Sequence, residues 1–199
     1  MSLEEHKVLF IVVLGVLVLF AASPGLTRLL VLPRTEFFTE LWLLGPNHKA
    51  EDYPFNVTAG EEYQVFLGIG NRLGYAAYYK VAVKLSNQNQ SRPDSFNRTP
   101  STLPPLYEIR AFVADEDKWE TPLTFSLTYN RDENQSHIQV HDVTLDNAQL
   151  NVGSFTSSWD SEKNGFYCNL FFEAWIYNTE TSSFHYHERF VGLWLNMTA

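Results

Sequence analysis

An all-β domain behind one apolar N-terminal helix is the architecture this sequence predicts. Three observations predict it. Val8 to Ala22 (VLFIVVLGVLVLFAA) holds no polar side chain. From Thr35 onward, short runs alternate apolar and polar residues with period 2, as half-buried strands do. No later segment carries the 3.6-residue apolar stripe of a helix. Composition agrees. Of 199 residues, 45% are hydrophobic and 19% charged, too apolar for a disordered chain. A net charge of −9 argues against a nucleic-acid partner. The single cysteine, Cys168, excludes an internal disulfide framework and the multi-cysteine metal motifs.

The apolar run comes first. Extended to Leu26 it reaches about 28 Å as a helix, close to the ~30 Å hydrocarbon core of a bilayer. A cleaved signal peptide begins basic. This chain begins MSLEEHK, with Glu4 and Glu5 set against Lys7. A retained anchor fits the length; Ala21-Ala22-Ser23 leaves a cleavage site as the alternative. Pro24-Gly25 and Pro33 bracket Leu26 to Leu32, which reads as a kinked or separate interfacial continuation with Arg28 snorkelling. Residues 1–32 are thus expected to be anchor and interfacial segment, meeting membrane lipid through Val8–Leu26. Residues 33–199 are expected to be the β-domain.

Lys7 on one side of the run and Arg28 and Arg34 on the other do not orient it. Five N-x-[ST] triplets do, at Asn56, Asn89, Asn97, Asn134 and Asn196. Their number and polar contexts point to N-linked glycans and an extracellular domain. The expected location is the plasma membrane, with the N-terminus cytoplasmic. Asn196, near a strand end, is the most doubtful acceptor.

The strands follow in order: Phe37 to Leu44, Val65 to Ile69, Tyr79 to Leu85, Tyr107 to Val113, Leu123 to Thr128, His137 to Leu145, Tyr167 to Tyr177 and Phe184 to Leu195. About eight strands at this spacing predict an immunoglobulin-like antiparallel β-sandwich. Gly70 to Gly74 reads as a hairpin turn. Residues 86–105 form a polar, proline-bearing loop holding two of the acceptor asparagines. The Tyr167 to Tyr177 run is apolar on both faces, so it is either central or buried against a partner. Phe171, Trp175 and Tyr177 occupy its second face and are candidate docking residues.

Phe38 to Pro54 reads FTELWLLGPNHKAEDYP and is followed by NVTAGE. This phrase resembles the start of the extracellular β-domain in an archaeal membrane-protein family known as domain of unknown function 1616. Gly68-Ile69-Gly70-Asn71, Lys118-Trp119-Glu120 with Pro122, and Leu193-Trp194-Leu195-Asn196 resemble its later segments. The likeness covers roughly residues 27–130 and 170–197. It implies an archaeal, surface-facing, immunoglobulin-like domain and no assigned chemistry. Two departures stand out. Family members usually carry several transmembrane helices before this domain, and residues 131–165 look inserted. Gly45-Pro46-Asn47 is a turn after a strand. Glu51, Asp52 and Tyr53 brace that corner or, alternatively, dock a partner membrane protein.

No catalytic motif emerges. His185 and His187 would share a strand face, as would His137 and His141, but a metal needs three or four converging ligands. The acidic groups at 115–117, 132–133 and 160–162 lack calcium-loop spacing and read as solvated turns. Gly68-x-Gly70-x-x-x-Gly74 misses the dinucleotide spacing. Cys168 reads as packing. Trp119, Trp159 and Trp175 read as core rather than sugar platforms. No catalytic residue, metal or cofactor is expected. The favoured expectation is a non-catalytic, single-pass surface glycoprotein, an accessory or scaffolding subunit of a membrane or envelope complex. A pilus-like subunit and a glycan-binding or glycan-processing module are the alternatives.

Overall fold

The computed structural model describes residues 3–29, 36–132 and 136–198. Two compact units divide between Phe37 and Phe38. The first holds one helix, α1 (Leu3–Leu29). It runs on through Pro24-Gly25, where a kink or an end was expected. Side chains along it are described at 6–21 and 23, and Val8 to Leu14 and Val16 to Phe20 are exposed. Among the described residues no helix is long and apolar enough to cross a membrane. The side chains of Leu26 and Arg28, and all of Pro33 and Arg34, lie outside the described residues.

The second unit is all-β. Its ten strands are β1 (Phe38–Leu44), β2 (Asn56–Thr58), β3 (Tyr63–Arg72), β4 (Ala77–Asn87), β5 (Tyr107–Val113), β6 (Lys118–Arg131), β7 (His137–Leu145), β8 (Ala148–Asp160), β9 (Gly165–Asn178) and β10 (Ser183–Thr198). The eight expected runs are all present. The two missed strands are β2, too short for a period to show, and β8. The latter alternates over Ala148, Leu150 and Val152 before polar residues blur it.

These strands form one hydrogen-bonded sheet rather than the two separate sheets of the expected sandwich. One half runs β1-β3-β6-β7-β8 and the other β5-β4-β9-β10-β2. They join at Trp159↔Phe166 and Asp160↔Gly165. Beyond that point β4 replaces β8 on the same edge of β9, from Cys168 onward. The halves diverge there and the sheet curls into a half-barrel. Its core fills the concave side. Leu67, Ile69, Leu123 and Phe125 from one half and Tyr79, Val83, Leu170 and Phe172 from the other are at most 1% exposed. Each such side chain contributes about 1.5–3 kcal/mol on leaving water.

The Gly70–Gly74 segment is not a hairpin. β3 pairs with β1 and β6, whereas β4 pairs with β5 and β9. The segment carries the chain from one half to the other. Asn71 pins it, donating from Nδ2 to the Tyr75 and Val113 carbonyls at 2.7 and 3.0 Å. Gly74 takes a φ of 83°, which glycine adopts without cost.

Residues 131–165, expected as an insertion, supply the β7–β8 hairpin to the same sheet and core. Ile138, Val140, Val143 and Leu145 are buried. Asp146 and Asn147 both have positive φ (44° and 69°), the geometry of a tight type I′ turn.

Candidate interaction site

The outer face of β9 explains its second apolar stripe. Phe171 and Glu173 are at most 1% exposed there, and the molecule's own 86–105 loop contributes the cover. Lys84 on β4 reaches Glu173 Oε2 at 2.8 Å and donates to the Ser101 carbonyl at 2.8 Å. The Ser101 N–H donates to Glu173 Oε1 at 2.7 Å, and Trp175 Nε1 donates to Oε2 at 3.3 Å. The Ser101 hydroxyl donates to the Ser91 carbonyl at 2.7 Å. Arg92 lies over the Trp194 ring. Two buried charges persist because they pair and their remaining valences are satisfied. Phe171 is therefore unavailable as a docking residue. On this stretch of the face the loop closes over the Lys84–Glu173 pair and the Trp194 ring.

Past the reach of the loop the same face is open. Trp175 is half-buried, with Lys80 Nζ 5.0 Å from its ring and Tyr186 packed at 5.6 Å. Phe184 contacts Tyr78 at 5.4 Å and Tyr177 at 5.3 Å. Tyr177 is 37% exposed, Tyr75 57% and Phe112 69%. A groove of about 530 Å³ passes between Tyr75, Tyr78, Phe112 and Tyr177 toward Asn178 and Glu180. Lys80 and Arg110 both reach Glu108, at 3.0 and 3.2 Å, and Arg110 lies over Phe184. The result is an aromatic patch with a paired charge rim. Trp175 and Tyr177 were legible from sequence. Tyr75, Phe112 and Phe184 were missed because four strands, β4, β5, β9 and β10, and a crossover bring the patch together.

The Gly45–Tyr53 corner is knit from within. Gly45 N–H donates to the Lys49 carbonyl at 2.7 Å. A Cβ at Gly45 would sit 2.0 Å from the Glu51 carbonyl oxygen, so only glycine fits. Tyr53 donates its hydroxyl to the Leu43 carbonyl at 2.8 Å. His48 stacks on Phe66 at 3.6 Å and meets Glu120 at 2.9 Å. Glu51 and Asp52 are exposed, and Glu51 pairs with Lys49 at 3.2 Å. Beside the corner, an open cleft of about 590 Å³ separates Leu41–Leu43 of β1 from Val191–Trp194 of β10, with Tyr53 and Phe55 at its end.

The histidines do not converge. His185 meets Thr181 and Ser183. His187 and Glu188 form a bulge between Tyr186 and Arg189, and His187 Nε2 lies 2.8 Å from Thr39 Oγ1. Thr39 in turn meets Tyr79, which donates to Asn71 at 3.2 Å. One direction of donation satisfies this chain, with neutral His187 as the first donor. Burial, helped by Arg189, lowers the His187 pKa from its ordinary value, against a smaller upward pull from Glu188. His137 meets Asp132 and Ser136, and His141 meets Asn130. Among the described residues no three His, Cys, Asp or Glu side chains gather for a metal.

Among the acidic groups, Asp115 accepts from Gly74 N–H at 2.8 Å and Asp160 accepts from Glu162 and Lys163 N–H, both at 3.0 Å. Glu133 lies outside the described residues. Burial pushes the Cys168 thiol up to about 12, so it is protonated and unreactive at neutral pH. Trp119 packs partly buried on the core, whereas Trp159, expected as core, is 47% exposed and meets Phe166 edge-on at 5.0 Å. Of the acceptor asparagines, Asn56, Asn89 and Asn97 are exposed, Asn196 is half-buried, and Asn134 lies outside the described residues.

Residues 32–142 match the family described as Domain of unknown function (DUF1616). The chain belongs to this family. The DUF1616 match spans the corner phrase and β1 through most of β7. The corner, the β1 wall of its cleft and the Tyr75–Phe112 side of the aromatic patch thus sit on matched sequence, whereas the Val191–Trp194 wall lies outside the match. Part of the segment expected as an insertion, 131–142, is also inside it. No curated protein matches the chain. Among solved structures, a β-glucosidase from Listeria innocua in complex with isofagomine aligns at 10% identity and a TM-score of 0.37, covering 81% of this chain. This chain spans only 16% of that enzyme. A complex of zinc 2-glycoprotein and prolactin-inducible protein from human seminal plasma aligns at 10% identity and a TM-score of 0.38, covering 84% of this chain and 100% of the other.

Proposed function

We propose that this protein is a non-catalytic, single-pass surface glycoprotein, an accessory or scaffolding subunit whose β-unit docks an integral-membrane or envelope protein. One observation carries the reading: the open aromatic patch of Tyr75, Phe112 and Tyr177 on a sheet face whose neighbouring stretch is sealed by its own loop. Aromatic groups are enriched in the buried centres of protein interfaces, and a rim of paired charges suits the edge. The apolar stretch Val8–Leu26, part of α1, supports a membrane anchor, and the exposed acceptor triplets at Asn56, Asn89 and Asn97 support a β-unit on the outer side. The family phrase at residues 38–54 supports an archaeal envelope setting. The crossing of the chain from β1 to β2, which lies parallel to β10, supports an immunoglobulin-like ancestry of the half-barrel.

Gentle detergent extraction from native membranes, followed by native sizing and mass spectrometry of co-purifying chains, tests the reading. A stoichiometric integral-membrane partner is the expected result. That partner should be lost from the Phe112→Asp/Tyr177→Asp variant while its circular dichroism stays unchanged. A homopolymer would instead favour the pilus-like subunit. A free monomer lacking residues 1–22 would overturn the anchor.

A further inference from the structure

Four exposed or half-buried asparagines stand in acceptor triplets on the β-unit, and the fold treats one of them differently. We infer that oligosaccharide is attached at Asn56, Asn89 and Asn97 and withheld from Asn196, its neighbour across the β2–β10 ladder. The inference rests on the outward placement of the β-unit proposed above.

Transfer from a polyprenyl-phosphate-linked oligosaccharide forms a bond between the anomeric carbon and the asparagine Nδ2. The anomeric carbon–oxygen bond to phosphate breaks, the lipid phosphate leaves, and one carboxamide proton passes to solvent. The acceptor must therefore present Nδ2 to a large enzyme, and the folded product must leave room for a sugar.

Asn196 meets neither condition. It lies inside a three-stranded ladder, paired with Asn56 of β2 on one side and Tyr167 of β9 on the other. Its Nδ2 donates to Asn56 Oδ1 at 2.9 Å. Its Oδ1 lies 2.3 Å from the place a Cβ would take on Gly165, so the carboxamide rests directly on the β9 backbone. The rest of its triplet is equally committed. Met197 is 1% exposed, and Thr198 donates its hydroxyl to the Val57 carbonyl at 3.2 Å. A sugar added at Asn196 before folding would have to be seated between β2 and β9.

Asn56 is the complement of this arrangement. It is exposed on β2, which among the described residues pairs only with β10. Its contact with Asn196 uses Oδ1 alone, so Nδ2 is left for the sugar and the hydrogen bond survives modification. Asn89 sits in an exposed turn. Asn97 is exposed in the 86–105 loop, where its Nδ2 donates to Asp94 at the surface at 2.6 Å, and the proton left on Nδ2 after transfer can still make that bond.

Glycopeptide mass spectrometry of the full-length protein purified from native membranes tests the assignment. Peptides containing Asn56, Asn89 and Asn97 should carry glycan, and the Asn196 peptide should be bare. Asn56→Gln, Asn89→Gln and Asn97→Gln should each remove one glycan mass, whereas Asn196→Gln should leave the glycan mass unchanged. Glycan on Asn196, or a bare Asn56 beside modified Asn89 and Asn97, overturns the inference alone. Bare asparagines throughout overturn it together with the outward placement.

Discussion

Glu173 is the residue on which the outer face turns. Its carboxylate accepts from Lys84, Ser101 and Trp175, so it ties two strands to a loop of another segment. Removing one partner of a buried pair strands the other charge, at a cost of about 3–5 kcal/mol. Glu173→Gln should therefore lower the urea midpoint sharply, and the Lys84→Met/Glu173→Leu double variant should recover most of the loss. Equal loss in both would show that the pair itself, not the stranded charge, matters. His187 acts through protonation. Its folded pKa lies below its unfolded one, so the unfolded chain binds the proton more readily. Its contribution to stability is complete above the ordinary histidine pKa of about 6.5 and falls as pH drops below it. Urea midpoints should decline from pH 7.5 to pH 5.5, and His187→Gln should flatten that decline. A slope unchanged by the substitution would assign it to other groups.

Elements owe their positions to contacts that cross the chain. The β10 bulge at His187-Glu188 turns a histidine inward to Thr39 and sends Arg189 Nε to the Thr39 carbonyl at 3.2 Å. β1 and β10 thus meet through side chains at one end, and the cleft opens at the other. Tyr129 of β6 closes the opposite rim. It donates to the Val57 carbonyl at 2.6 Å and lies within hydrogen-bond distance of the Thr198 carbonyl. The 86–105 loop is a structural cover. Replacing residues 91–101 with a short Gly-Ser linker should expose Phe171 and raise binding of a hydrophobic dye. Dye binding at the wild-type level would mean that another element seals the face. The β7–β8 turn tolerates its two positive φ values through Asp146 and Asn147. Asn147→Val should cost about 1–2 kcal/mol in urea unfolding, and Asn147→Gly should cost little.

At the level of the whole molecule the β-unit is compact by itself. A chain of residues 36–199 should fold and unfold in one cooperative urea transition. Failure of that chain to fold would overturn this. The single sheet makes a second point. Among the described residues the halves share ladder pairing at two residue pairs of β8 and β9 and a few side-chain bonds such as Thr39–His187 and Tyr129–Val57, so most cohesion between them comes from the shared core. Phe125→Ala, which opens a cavity there, should cost about 3–5 kcal/mol and unfold both halves in one transition.

Strand identity was legible in the sequence because period 2 is a local property. Tyr79, Val81 and Val83 face the core wherever β4 is placed, and Lys80 and Lys84 face away. The same holds for the turn at Gly45 and for Tyr53, whose hydrogen bonds to Lys49 and Leu43 span few residues, and for the apolar run behind α1. Pairing was not legible. Gly70–Gly74 has the composition of a hairpin but serves as a crossover, because register depends on strands that the segment does not contain. The two apolar faces of β9 signalled burial without naming the cover, and residues 86–105 supplied it through one buried Lys–Glu pair. Asn56 and Asn196 stand 140 positions apart in the same kind of acceptor triplet, and the sequence marked Asn196 as the doubtful one only for lying near a strand end. Only the parallel β2–β10 ladder decides that they touch and that one spends its amide on the other. Local chemistry is written along the chain, whereas which surfaces are covered is a property of long-range packing.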